Sequence, residues 1–189
     1  MPATKPVLVL VDVQNGFVRE QSAHAVPVLV DLVTRWQAAG ADTVFTRYFN
    51  YPGSPFERFF GWRQLQSSPE VDIVEALKPY AEKATAIVDK RIYSAFTPEF
   101  DDLVRSHGWT DVYACGIATE SCVLKTAVDA FERDLTPWLI EDASASHAGP
   151  AAHEAGLLVA RRFIGPGQVI KVAEVRQPGG EAASVPDTT

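Results

Sequence analysis

The chain has 189 residues, 47% of them hydrophobic and 22% charged, enough for one domain that buries about 70% of the surface its unfolded chain exposes. With 17 Lys and Arg against 24 Asp and Glu, the net charge is -7 and no basic stripe forms, so nucleic acid is not an expected partner. The two cysteines, Cys115 and Cys122, make neither a disulfide framework nor a CxxC zinc pair.

The first element is the apolar run Val7 to Val11, which reads as a strand buried on both faces. It is too short to cross a bilayer and no cleavage site follows it, so a cytoplasmic protein with no signal peptide and no membrane partner is expected. Val26 to Ala39 places Val26, Leu29, Val30, Val33 and Trp36 on one helical face and stops at Gly40. A strand over Thr43 to Thr46 leads into a long connection, Arg47 to Arg63, holding Tyr48, Phe49, Tyr51, Phe56, Phe59, Phe60 and Trp62. That many aromatic rings need cover, either as a pocket wall or lid or at a subunit interface. A helix is predicted over Val71 to Tyr80, then a strand over Ala86 to Val88 and a helix over Glu99 to His107. The strand Asp111 to Cys115 precedes a helix over Glu120 to Arg133. Strand Pro137 to Ile140, helix Pro150 to Phe163 and strand Val169 to Val172 follow.

This alternation predicts an α/β fold: three α/β/α layers around a six-stranded, mainly parallel sheet. Residues 1–175 read as a single domain. The segment 176–189 has few apolar residues and reads as a disordered tail.

In a parallel sheet the carboxyl ends of the strands share one edge, and ligands bind outside it. Asp12 follows the first strand, Lys90 the third, and Gly116 to Cys122 the fourth. Thr119 is the expected N-cap of the next helix, which puts Cys122 in its first turn, where unpaired N–H groups and the dipole favour a thiolate. Each residue alone has a plainer explanation: a small buried thiol, a turn-forming aspartate, a solvated lysine. Their meeting at one edge is what suggests a site.

These residues lie in three motifs. Leu10-Val11-Asp12-Val13-Gln14-Asn15-Gly16-Phe17, Lys90-Arg91-Ile92-Tyr93-Ser94-Ala95-Phe96 and Gly116-Ile117-Ala118-Thr119-Glu120-Ser121-Cys122-Val123 resemble, in order and spacing, the motifs of the isochorismatase-like cysteine hydrolases. Glu141 to Ser146 is similar to the family's stretch after the fifth strand. The resemblance implies a catalytic triad of Asp12, Lys90 and Cys122. It also implies a cis peptide between Ile117 and Ala118, with the backbone N–H groups of Ala118 and Cys122 as an oxyanion hole. The implied activity is hydrolysis of an amide, carbamoyl or ureide C–N bond of a small molecule through a thioester, in a homo-oligomer, dimer or tetramer. Within the motifs, Gln14, Phe17, Tyr93 and Phe96 are the expected pocket-lining residues.

Metal-dependent members carry an Asp-x-His segment after the second strand. Thr46 to Pro52 has no histidine here, so neither a metal nor another cofactor is expected. His147 and His153 lie off ligand spacing and read as surface or packing residues. Arg47 is read as the partner of a structural acid in preference to a substrate carboxylate. Two alternatives stand beside the amidohydrolase: an isochorismatase-type vinyl ether hydrolase, which the presence of Cys122 disfavours, and a non-catalytic, redox-responsive scaffold using the same thiol. A dinucleotide enzyme is disfavoured because no GxGxxG follows the first strand.

Overall fold

Pro6–Val11 forms the first strand, β1. Leu8 and Leu10 point into one hydrophobic cluster while Val7, Val9 and Val11 point into the other, so β1 is buried on both faces. The computed structural model describes residues 4–176. Among them β1 is followed by α1 (Ala25–Ala38), β2 (Asp42–Tyr48), α2 (Pro55–Phe60), α3 (Lys78–Ala81), β3 (Ala86–Lys90), α4 (Pro98–His107), β4 (Asp111–Ile117), α5 (Leu124–Phe131), β5 (Thr136–Ala145), α6 (Pro150–Phe163) and β6 (Val169–Ile170).

The six strands pair in the order β3-β2-β1-β4-β5-β6, every pairing parallel. Helix α1 covers one face with Leu29, Leu32, Val33 and Trp36. Helices α4, α5 and α6 cover the other with Phe100, Ala127, Ala130, Leu157 and Ala160. The expected three-layer α/β/α fold is what the chain adopts. Strand order reverses at β1, so the crevice beyond the carboxyl ends of β1 and β4 is the topological switch point.

Three elements differ most from expectation. No helix runs from 71 to 80: a 3₁₀ turn over Glu75–Leu77 leads into the short α3. Pro79 cannot donate within a longer helix. The backbone ahead of it pairs instead with the segment after β1, Asn15 N–H donating to Asp72 O and Val74 N–H to Val13 O. Strand β5 runs five residues beyond Ile140, because its register shifts and Ser144 and Ala145 then track Gly116 and Ile117. Strand β6 stops at Ile170, and Val172 enters a 3₁₀ turn. The tail predicted over 176–189 lies outside the described residues, apart from Arg176. Among the described residues, no helix is long and apolar enough to cross a membrane.

Gly116 fixes the closest approach in the switch region. Its φ is 120°, and a Cβ added there would lie 2.3 Å from Val11 O, immediately before Asp12. Gly40, at φ 71°, has open space around it. Gly116→Ala is therefore expected to lower stability by about 3 kcal/mol, through backbone strain plus overpacking. Gly40→Ala carries the strain alone and should cost about 1 kcal/mol. Urea unfolding of both variants checks this, and equal losses would contradict the close approach.

Candidate active site

Asp12 leaves β1 with a φ of 50° and is fully buried. Its Oδ1 accepts a hydrogen bond from Thr46 Oγ1 at 2.6 Å, and its own N–H donates to the same hydroxyl at 3.1 Å. Lys90, the last residue of β3, reaches past β2 with its ammonium 5.6 Å from the centre of the Tyr48 ring. Nζ donates to Asp12 Oδ2 at 2.6 Å, to Ile92 O at 3.0 Å and to Tyr93 O at 2.9 Å. All three ammonium protons are thus occupied. Burial works to lower the pKa of this lysine, but the charge of Asp12, supported by its hydrogen bond and by Cys122, outweighs it and the net shift is upward. Lys90 is a fixed cation, unable to leave Asp12 without exposing an unpaired charge.

Cys122 arrives from the neighbouring strand. After β4 the Ile117–Ala118 peptide is cis, and Thr119–Val123 makes a π-helical turn that runs into α5. Thr119 is not the N-cap expected from its position: Ala118 occupies that place, and Thr119 Oγ1 lies 2.8 Å from His153 Nδ1. Ala118 O accepts from both Ser121 N–H and Val123 N–H at 3.1 Å, and the Cys122 N–H between them takes no part in this pairing. Thr126 Oγ1 donates to Cys122 O at 2.7 Å and accepts from Ala95 N–H at 3.0 Å, tying the turn to the loop after β3.

Burial pushes the Cys122 pKa up to about 12; Lys90 opposes the shift and Asp12 adds to it. The direction runs against the preformed thiolate that a helix terminus and a nearby lysine suggest. Desolvation wins because the ammonium is already paired with Asp12.

Cys122 opens into a cavity of about 390 Å³. Phe17, Tyr48, Phe56, Trp62 and Tyr93 make its walls, and Ala118 and Ser121 line it with the cysteine. Phe17 and Trp62 stack at 5.9 Å with 22° between their planes, and Phe56 meets Tyr93 edge-on at 5.2 Å. Much of the aromatic connection after β2 is therefore a pocket wall. Its tip differs: Phe59 and Phe60 of α2 stay exposed, Phe60 at the rim of the cavity.

Of the four expected lining residues, Phe17 and Tyr93 line the cavity and two do not. Gln14 is a buried clamp: Nε2 donates to Tyr48 O and Val71 O, and Oε1 accepts from Tyr48 N–H. Phe96 turns into the opposite core, edge-on to Phe100 at 4.9 Å. His147, expected to be a surface or packing residue, lines the cavity and stacks on Phe17 at 5.5 Å. Arg47 pairs with a structural acid, donating to both oxygens of Asp89 at 2.7 and 2.8 Å. Cys115 is buried within β4.

Sequence reasoning missed Thr46, Glu120 and His147. Thr46 had a usable signal, since Leu10 pairs with Phe45 and one further step brings Thr46 beside the end of β1. Glu120 lies inside the third motif but carries no chemistry of its own there. The residues near the cavity do not fit a metal ion. Among the described residues no three His, Cys, Asp or Glu side chains gather as ligands, and the Asn50 amide is taken up by Trp62 O, Ser54 and Tyr51 N–H.

A parallel sheet of this order, with an aspartate, a lysine and a cysteine converging at its switch point, defines a hydrolase of the isochorismatase type. The chain belongs to the isochorismatase family, whose isochorismatase domain model matches residues 6–174. It is 27% identical over 205 aligned residues to a ureidoacrylate amidohydrolase of Azorhizobium caulinodans, covering 90% of this chain and 88% of that one. Among solved structures it resembles a nicotinamidase of Bacillus subtilis, with a TM-score of 0.79, 25% identity, and coverage of 89% of this chain and 100% of that one. An N-carbamoylsarcosine amidase of Thermoplasma acidophilum shares the fold at a TM-score of 0.75 and 24% identity, with coverage of 91% and 99%.

A raised thiol pKa has a direct kinetic signature. Thiolate is scarce at neutral pH and becomes about tenfold more abundant with each pH unit on the way up. Alkylation of Cys122 by iodoacetamide, followed by peptide mass spectrometry, should be slow at pH 7 and still rising at pH 9. A rate that levels off below pH 8 would mean a preformed thiolate.

Proposed function

We propose that the protein hydrolyses a C–N bond of a small amide, carbamoyl compound or ureide, with Cys122 as nucleophile, Asp12 as proton carrier and Lys90 as a fixed counter-charge. The observation that carries this reading is the buried Lys90–Asp12 pair at 2.6 Å, beside a thiol that lines an aromatic-walled cavity. The likeness to a ureidoacrylate amidohydrolase and to a nicotinamidase supports the same bond class.

The neutral thiol gives its proton to Asp12 as the sulfur attacks the carbonyl carbon, so charge forms on sulfur only when it is being used. Lys90 stabilises the Asp12 carboxylate before transfer and the developing thiolate during it. The carbonyl oxygen becomes an oxyanion beside the N–H groups of Ala118 and Cys122; removing one such donor commonly costs about 2.7 to 4 kcal/mol. Collapse breaks the C–N bond, and the departing ammonia or amine takes the proton from Asp12. The thioester remains. Asp12 then accepts a proton from water as it attacks, and the thiol is restored when the acid leaves. A vinyl ether substrate would make no use of the sulfur, so Cys122 in the cavity favours C–N hydrolysis.

Cys122→Ala and Asp12→Asn should each reduce ammonia or amine release from a panel of small amides, carbamoyl compounds and ureides by roughly a thousandfold or more. Circular dichroism checks that each variant is folded. Full activity in a folded variant would overturn the assigned role.

A further inference from the structure

Glu120 stands two residues before Cys122 on the same π-helical turn and lines the same cavity, yet the chemistry above gives it nothing to do. Two contacts hold it. Ser146 Oγ donates to Glu120 Oε1 at 2.7 Å, and α6 packs so tightly behind it that a Cβ on Gly156 would lie 2.7 Å from Glu120 Cα. The second carboxylate oxygen, Oε2, is shut off from solvent and has no hydrogen-bond partner among the described residues. The same holds for Nδ1 of His147, on the cavity wall. A buried acceptor without a donor is costly, more so when charged. Neither atom has surface open to the cavity, so Glu120 acts on a bound molecule through its charge and not through a direct hydrogen bond to Oε2.

The charge balance narrows what that is. Among the described residues, no Lys or Arg lines the cavity. Lys90 has no proton left to offer. Arg19, near enough to influence His147, is exposed and donates to Gly16 O and Gln64 Oε1. Burial lowers the His147 pKa against the opposing pull of Glu120, and Arg19 lowers it further, so the imidazole adds no positive charge at neutral pH. The remaining walls are aromatic, and the faces of such rings attract cations.

We propose that Glu120 is the charge-selecting group of the site: it favours amides that carry a positively charged nitrogen away from the reacting carbonyl, and it disfavours those that carry a carboxylate. The choice of amides as the class rests on the hydrolase reading; the preference of charge rests on the cavity alone.

The test uses benzamides bearing an aminomethyl, a methyl or a carboxylate group at the meta or para position. Their binding is measured by calorimetry to Cys122→Ala, and to the same variant with Glu120→Gln added. Glutamine keeps an oxygen to accept from Ser146 and removes only the charge. The aminomethyl compound should bind at least about tenfold more tightly than the carboxylate to Cys122→Ala, and Glu120→Gln should shrink that gap to within about threefold. Because the chain is acidic overall, this second arm separates Glu120 from the general field. Equal or tighter binding of the carboxylate, a gap that survives Glu120→Gln, or no binding of any of the three would each overturn the proposal. Turnover of the same compounds by the native enzyme is scored separately: the expected binding order without turnover removes the hydrolase reading and leaves the charge preference standing.

Discussion

An ammonium group with no exposed surface has to find its charge balance and three acceptors inside the protein, and at Lys90 that requirement organises everything around it. One acceptor is Asp12, two strands away; the others are carbonyl oxygens of the loop that begins right after Lys90. The bond therefore ties β3 to the end of β1 across β2 and folds the 91–95 loop back over its own strand. Tyr93, carried on that loop, becomes a cavity wall as a result. Such a pair is a weak source of net stability, since desolvating two charges offsets most of their attraction, while losing one partner costs about 3 to 5 kcal/mol. Its value lies in keeping a carboxylate and a cation at fixed places in a buried site.

Burial governs the thiol as well. It pushes the Cys122 pKa upward, and the nearest cation is already committed to Asp12, so in the proposed reaction the sulfur is activated by a base at the moment of attack. This division of labour suits a cavity walled by aromatic rings, where a standing thiolate would be poorly solvated. Backbone approach makes the placement possible. Gly116 lets β4 close on Val11, and Gly156 lets α6 press on Glu120, so the turn bearing the cysteine is gripped from both sides.

Much of this was legible in the sequence because parallel sheets obey strong rules. Alternating apolar runs and helical faces lead to the layers, and strand ends lead to Asp12, Lys90 and Cys122 as neighbours. What escaped depended on long-range pairing. The segment 71–80 has helical spacing, yet Asn15 and Val74 draw its backbone into bonds with the chain after β1. Gln14 and Phe96 sit in the right motifs, but one faces the backbone of Tyr48 and the other the far core. His147 follows the end of β5 at Ala145, and β5 runs past its own apolar run only because of a register shift that no local pattern records.

The central claim is that Cys122 adds to a carbonyl carbon while Asp12 takes its proton. The most direct measurement is a ¹³C NMR spectrum of the enzyme with a small aromatic aldehyde labelled at the carbonyl carbon, which stands in for the amide and has no group to expel. The account predicts that the aldehyde resonance is replaced by that of a tetrahedral hemithioacetal, and that this signal is absent with Cys122→Ala. An aldehyde that stays unreacted beside intact Cys122, or an identical adduct in the alanine variant, would contradict it.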